Sequence, residues 1–226
     1  MSKFKTILVA GVTLAALSGA AFAGGKNDHP TAPGQIVNTA LTVQWNYNSV
    51  YALTQIYAGW VGGDLRGAAT AVGNNVSWET QGGASLDNMQ RQLAPVGAEL
   101  KATIVGAGSV DLSATAICNN VAASNSASGN TVIRNDQRCD TLDPYAIVNA
   151  NLGTIGGDAA TAATSVGNNL ALEAVTAATF VYNGQINAGA TYAQVNVNMD
   201  NVGGAASAAA TAIGNNLTIK SGFGTP

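Results

Sequence analysis

Apolar and polar residues alternate with a period of two over long stretches of this chain. Ala193, Val195, Val197 and Met199 interleave with Gln194, Asn196, Asn198 and Asp200, and Val148, Ala150 and Leu152 with Asn149 and Asn151. That spacing predicts half-buried strands with one apolar face. Further strands are predicted at Val76/Trp78, Leu170/Leu172 and Leu217/Ile219, and over the aromatic-rich segments 42–47 and 179–184. Asn183-Gly184 carries the signature of a hairpin turn. Segment 158–167 has two readings. Asp158 and Gly167 would cap a short alanine-rich helix, whereas its recurring threonines and the glycines at its start favour a strand.

The strands fall into copies. Thr70-Ala71-Val72-Gly73-Asn74-Asn75 returns as Thr115-Ala116-Ile117-Cys118-Asn119-Asn120, Thr164-Ser165-Val166-Gly167-Asn168-Asn169 and Thr211-Ala212-Ile213-Gly214-Asn215-Asn216, at intervals of 45, 49 and 47 residues. Tyr51, Tyr145 and Tyr192 each stand 22 residues before a tag glycine, and a double glycine ends ten residues before it at Gly63, Gly157 and Gly204. The second copy is worn, with Gly108 at the double-glycine position and Gly97 near the tyrosine position. A fixed period of this size signals one supersecondary unit stacked on copies of itself. The expected fold is all-β: a β-solenoid or a stack of β-hairpins with four repeats of about 47 residues. Each repeat reads as strand, Gly-Gly turn, small-residue strand, bend at the tag and short strand.

Stacking brings equivalent side chains to about 4.8 Å from one another. Asparagine amides at such positions donate and accept along the stack, so Asn74, Asn119, Asn168 and Asn215 form one candidate ladder and Asn75, Asn120, Asn169 and Asn216 a second. Gly73, Gly167 and Gly214 would give the corner its sharp turn. Cys118 stands where the other copies have glycine, so the corner tolerates a side chain. The three tyrosines are expected to pack.

Composition narrows the function. Only 9% of the 226 residues are charged, against roughly 25% in ordinary soluble domains. Such a surface does little to keep copies apart, and without a basic stripe nucleic-acid binding is disfavoured. Lys3 and Lys5, the apolar stretch 7–17 and Ala21-Phe22-Ala23 form a secretory signal peptide cleaved between Ala23 and Gly24. The apolar stretch is too short to span a membrane. The expected organisation is signal 1–23, a flexible segment 24–34 and a single repeat domain 35–226, exported to the cell surface or beyond. Removal of the signal takes the formal charge from −3 to −5.

In an exported protein Cys118 and Cys139 suggest a disulfide, closing a loop of about 20 residues worth about 3 kcal/mol. Both lie near segment 124–143, the most polar and least periodic part, which reads as an excursion pinned by the cysteines. Catalytic signals are thin, with no catalytic, cofactor or metal residues to nominate. His29 is the single histidine. Asp136, Asp140 and Asp143 are interleaved with Arg134 and Arg138 and do not match a calcium loop. Glu79 and Glu173 align with Lys220, which marks a solvent-facing position.

The signal, the low charge and strands such as Ala210-Thr211-Ala212-Ile213-Gly214-Asn215-Asn216-Leu217 make the chain resemble bacterial surface-fibre proteins of the curlin type and the holdfast-anchoring proteins of stalked bacteria. The likeness spans roughly residues 50–220. Curlin repeats are about half as long and carry regularly placed glutamines, which are sparse here. The tag also resembles repeats in the heads of trimeric surface adhesins, though those recur more densely. The resemblance implies a non-enzymatic, amyloid-like subunit of a surface or biofilm-matrix fibre. Its partner would be itself, by strand-edge pairing at an end without a polar cap, with other surface or matrix proteins or polysaccharide alongside. A second reading is a monomeric adhesin presenting Thr70, Thr115, Thr164 and Thr211 to a glycan, ice or a surface protein. A secreted β-helix enzyme acting on polysaccharide lacks a catalytic constellation.

Overall fold

The structure, a computed structural model, describes residues 38–126, 130–140, 144–175 and 178–222. The expected signal peptide 1–23, the expected flexible segment 24–34 and His29 lie outside them. Twelve strands follow in chain order: β1 Asn38–Asn46, β2 Val50–Trp60, β3 Leu65–Thr80, β4 Ala84–Gln92, β5 Val96–Ala107, β6 Val110–Asn125, β7 Asn130–Cys139, β8 Tyr145–Ile155, β9 Ala159–Ala174, β10 Ala178–Asn187, β11 Tyr192–Val202 and β12 Ala206–Ser221. Three strands make one coil, and each strand pairs with its counterpart a coil away. The sheets run β1-β4-β7-β10, β2-β5-β8-β11 and β3-β6-β9-β12, and every pairing in them is parallel. The protein is a β-solenoid of four coils.

Stacked hairpins are excluded, because successive strands lie in different sheets. The expected turn at Asn183-Gly184 is absent as well: β10 runs through both residues, paired to Asn135 and Asp136 of β7. Asn183 belongs to an interior amide row, and Gly184 has no neighbour closer than 3.8 Å to where a Cβ would sit. Segment 124–143 is not an excursion either, since β7 occupies half of it as the third-coil strand of the first sheet. Its charges mislead because Arg134, Asp136 and Arg138 sit on the outer face, where Arg134 approaches Asp87 (3.7 Å) and Arg138 approaches Asp136 (3.8 Å). Segment 158–167 is strand, as the threonines favoured.

The double glycines lie between the second and third sheets, where the backbones of successive coils touch. A Cβ on Gly204 would come within 2.8 Å of the Gly157 carbonyl carbon. Only glycine permits that approach.

The third-sheet strands are 16 residues long and do not end at the tag. Their inward parity changes there instead. In β9 the buried positions are Ala159, Thr161, Ala163 and Ser165, then Val166 and Gly167 at the tag itself, and beyond it Asn168, Leu170, Leu172 and Ala174. The tag position itself is passed over in the pairing register. A bend inside one strand therefore replaces the expected corner between two strands.

The bend divides the interior. Before it, Leu65, Ala69, Leu112, Ala114, Ala159 and Ala163 pack on Ile56, Leu100, Ile104, Val148 and Leu152 of the second sheet. After it, Val76, Val121, Leu170 and Leu172 pack on Leu86 and Ile133 of the first sheet. Between these two apolar cores lies a polar seam.

Candidate functional site

The first sheet turns a row of amides into that seam from every coil. Thr42, Asn88, Asn135 and Asn183 are in register, and two residues further on so are Gln44, Gln90, Gln137 and Gln185. The third sheet contributes Asn74, Asn119, Asn168 and Asn215 from its bend. Asn119, Asn168, Gln90 and Gln137 are fully buried, so each polar atom needs a partner within the protein.

The rows supply them. Asn74 donates to Asn119 (2.7 Å), Asn119 to Asn168 (2.7 Å) and Asn168 to Asn215 (2.8 Å). Thr42 donates to Asn88 (2.6 Å), Asn88 to Asn135 (2.7 Å) and Asn135 to Asn183 (2.7 Å). The glutamine row runs the other way: Gln90 donates to Gln44, Gln137 to Gln90 and Gln185 to Gln137, all at 2.8 Å. The half-buried outer row also runs backward, from Asn120 to Asn75 (2.7 Å), Asn169 to Asn120 (2.7 Å) and Asn216 to Asn169 (2.6 Å).

Second N–H groups tie the first and third sheets together. Gln44, Gln90, Gln137 and Gln185 donate to the carbonyls of Asn75 (3.0 Å), Asn120 (3.1 Å), Asn169 (3.0 Å) and Asn216 (3.0 Å). Asn119 and Asn168 donate to the carbonyls of Arg138 (2.9 Å) and Ile186 (2.8 Å), each one coil ahead. A displaced coil would leave several buried amides unpaired at once.

The cysteines belong to the same seam. Cys118 and Cys139 form a disulfide with their Cα atoms 6.0 Å apart, joining β6 to β7 of the next coil. At Gly73 and Gly167 a Cβ would first meet a backbone carbonyl oxygen of the next coil, that of Cys118 or Gly214, and an amide of that coil also fills the space opposite. A Cβ on Gly73 would lie 2.6 Å from Gln92 Oε1, and one on Gly167 would lie 2.9 Å from Asn187 Cγ. Gln92, Cys139 and Asn187 share one register position. One layer thus holds two half-cystines where its neighbours hold glycine and an amide. Left-handed backbone plays no part, since Gly82 is the positive-φ glycine (98°) among the described residues.

Outward positions are plainer. Thr70, Thr115, Thr164 and Thr211 form an in-register row on the outside of the third sheet. Tyr51 and Tyr145 approach across Gly97, whose missing side chain leaves room for the Tyr145 ring. The Tyr51 hydroxyl donates to Glu99 (2.6 Å). Burial, reinforced by that bond, pushes the Tyr51 phenol above its ordinary value. Burial also opposes ionisation of Glu99, but the Tyr51 bond and Lys101 at 2.9 Å outweigh it and hold the carboxyl below the usual range. Among the described residues no group of His, Cys, Asp or Glu is placed to hold a metal ion.

A model of HfaD, holdfast attachment protein D, matches residues 30–223. The chain belongs to the holdfast attachment protein D family. Membership makes it a structural adhesion protein of the bacterial cell envelope with a role in holdfast anchoring. The holdfast-anchoring side of the resemblance stands on that match, while the curlin side has no counterpart in it. Comparison with curated proteins and with solved structures returns no significant match.

Both asparagine rows of this holdfast attachment protein follow the repeating tag, whereas the two rows of the first sheet lie outside it. Their signal is Thr42-x-Gln44-x-Asn46, Asn88-x-Gln90-x-Gln92, Asn135-x-Gln137-x-Cys139 and Asn183-x-Gln185-x-Asn187. The glutamines are few, yet one stands at the same place in every coil.

Two outcomes follow from the seam. Replacing Asn119 with Ala orphans Asn74, Asn168 and the Arg138 carbonyl, at about 1–3 kcal/mol for each unsatisfied group. Denaturant unfolding is expected to show a loss of about 3 kcal/mol or more, whereas Asn196→Ala on the exposed face stays within about 0.5 kcal/mol. Cys118→Gly with Cys139→Gln recreates the Gly73–Gln92 layer and is expected to fold without the disulfide. Cys139→Gln alone crowds Cys118 and is expected to melt lower than the pair, by about 1–3 kcal/mol in unfolding free energy.

Proposed function

We propose that the mature protein, exported and cleaved between Ala23 and Gly24, is a self-assembling subunit of the fibre or layer that anchors the holdfast. Copies join through their strand edges, with other envelope proteins or the holdfast polysaccharide as further partners. The observation that carries this reading is that, among the described residues, three parallel edge strands at each end pair on one side alone, β1, β2 and β3 at one and β10, β11 and β12 at the other. Unpaired edges of this kind are templates for another chain, and a surface with 9% charged residues offers little repulsion against it. The role is mechanical: parallel pairing and amide rows continued from copy to copy give a rod held by many hydrogen bonds along its axis.

Purified residues 24–226 are expected to form fibres in electron micrographs and fast-sedimenting species at high concentration. A strictly monomeric protein under those conditions contradicts the proposal. Deleting residues 35–47, which include all of β1, is expected to suppress polymerisation, and unchanged fibres would exclude that edge as the route.

A further inference from the structure

The two ends of the solenoid are not equivalent. Each third-sheet strand packs on the second-sheet strand of its own coil and on that of the next. Thus β3 contacts β2 and β5, β6 contacts β5 and β8, and β9 contacts β8 and β11, whereas β12 contacts β11 alone. The first sheet repeats the pattern, since β9 touches β7 and β10 while β12 touches β10 alone. Among the described residues, half of the wall that covers β3, β6 and β9 is therefore missing at β12.

Burial records the difference. Leu65, Ala69, Ala71 and Val76 of β3 are buried, as are Ala159, Thr161, Ala163 and Ser165 of β9. Their counterparts Ala206, Ala208, Ala210 and Ala212 are exposed. Leu170 is 0% exposed and Leu172 2%, but Leu217 is 45% and Ile219 44% exposed. The seam is incomplete at the same place. A Cβ on Gly214 would have Asn187 Nδ2 at 3.8 Å as its neighbour, where the other tag positions meet a group from the coil ahead. Asn215 turns to the Gln185 carbonyl of its own coil (3.2 Å), although Asn119 and Asn168 each reach one coil forward.

We propose that β1 and β2 of a second copy supply this missing wall, so that copies stack head to tail with the first coil of one on the fourth coil of another. The proposal rests on the self-assembly reading and adds to it a direction and a register. The chain itself carries the matching strands. β1 presents Thr42, Gln44 and Asn46 at the positions of Asn88, Gln90 and Gln92, and β2 presents Ala52, Thr54 and Ile56 at those of Ala98, Leu100 and Ala102. Continuing the register sets Asn46 of the second copy opposite Gly214 and Leu65 of that copy over Ala206.

The amide rows select the polarity. Two rows donate forward and end at Asn183 and Asn215, whose amides meet Thr42 and Asn74 of the next copy. Two rows donate backward and end at Gln185 and Asn216, whose carbonyls meet Gln44 and Asn75 of the next copy. Joining two fourth coils instead would set donor against donor in the first pair of rows, and strands that are parallel within the chain would meet antiparallel.

The native disulfide provides the test. Gly214 occupies the position of Cys118, and Asn46 that of Cys139 one coil beyond, yet within one copy these residues stand at opposite ends. Gly214→Cys and Asn46→Cys are prepared as separate full-length mature proteins, each with its fold checked by circular dichroism. Mixed and oxidised, they are expected to give a covalent, reducible heterodimer, while each alone stays uncross-linked between copies. Disulfide homodimers from either variant alone, or no heterodimer in samples that still form fibres, overturn the head-to-tail register and leave self-assembly standing. Absence of fibres in the wild-type protein overturns both. Ala210→Lys provides an arm independent of cysteine chemistry, because Ala210 is exposed in one copy while its counterpart Ala163 is buried. This variant is expected to fold and melt normally, to form no fibres, and to halt wild-type growth when added in minor amounts. Undiminished assembly by this variant contradicts the proposal.

Discussion

Carboxamides buried between two apolar cores set the terms for the rest of the structure. An amide in that position has two N–H groups and a carbonyl to satisfy, and each failure costs about 1–3 kcal/mol. Asn119 meets all three needs by accepting from the coil behind and donating to the coil ahead and to the Arg138 carbonyl. That solution requires parallel strands in identical register. Apolar contacts such as Leu100 on Leu112 are far more tolerant of sliding, because hydrophobic burial is non-directional. The cores supply driving force and the seam supplies register.

The same constraint explains the residues beside the amides. The bend in β3, β6 and β9 brings the tag asparagine inward and opens space for a side chain of the first sheet. Glycine faces Gln92 and Asn187 in two layers, and a disulfide fills the equivalent volume in a third. Cysteine at position 118 is thus an alternative filling of one layer, fit for an exported protein, and the asparagines around it carry on unchanged.

Much of the architecture was legible as repetition. The tag, the tyrosine and the double glycine sit at fixed offsets, and the period-two alternation of residues such as Val195, Val197 and Met199 marks the inner face. The errors have a common source. Asn183-Gly184 has strong local turn chemistry, and Arg134, Asp136 and Arg138 have loop-like charge, yet both lie in strands because their partners are about 47 residues away. Local propensity loses to a pairing that offers a hydrogen-bonded neighbour on each side. The glutamine row was missed because scarcity hid its regularity. The tag bend was legible in position but not in form, since a change of inward parity within one strand leaves no turn residue of its own to read.

Membership in the holdfast attachment protein D family gives this architecture a role in bacterial surface adhesion. A stack whose buried rows run parallel to its axis resists slippage between coils, and its stiffness depends on those rows being closed. Hydrogen exchange of the side-chain amide protons by NMR measures that closure. Asn119, Asn168, Gln90 and Gln137 are expected to exchange only with global unfolding, far more slowly than exposed Asn196 and Asn198. Exchange of the buried set at the rate of the exposed pair would show that the seam is open to water, and would contradict the claim that it holds the coils in register.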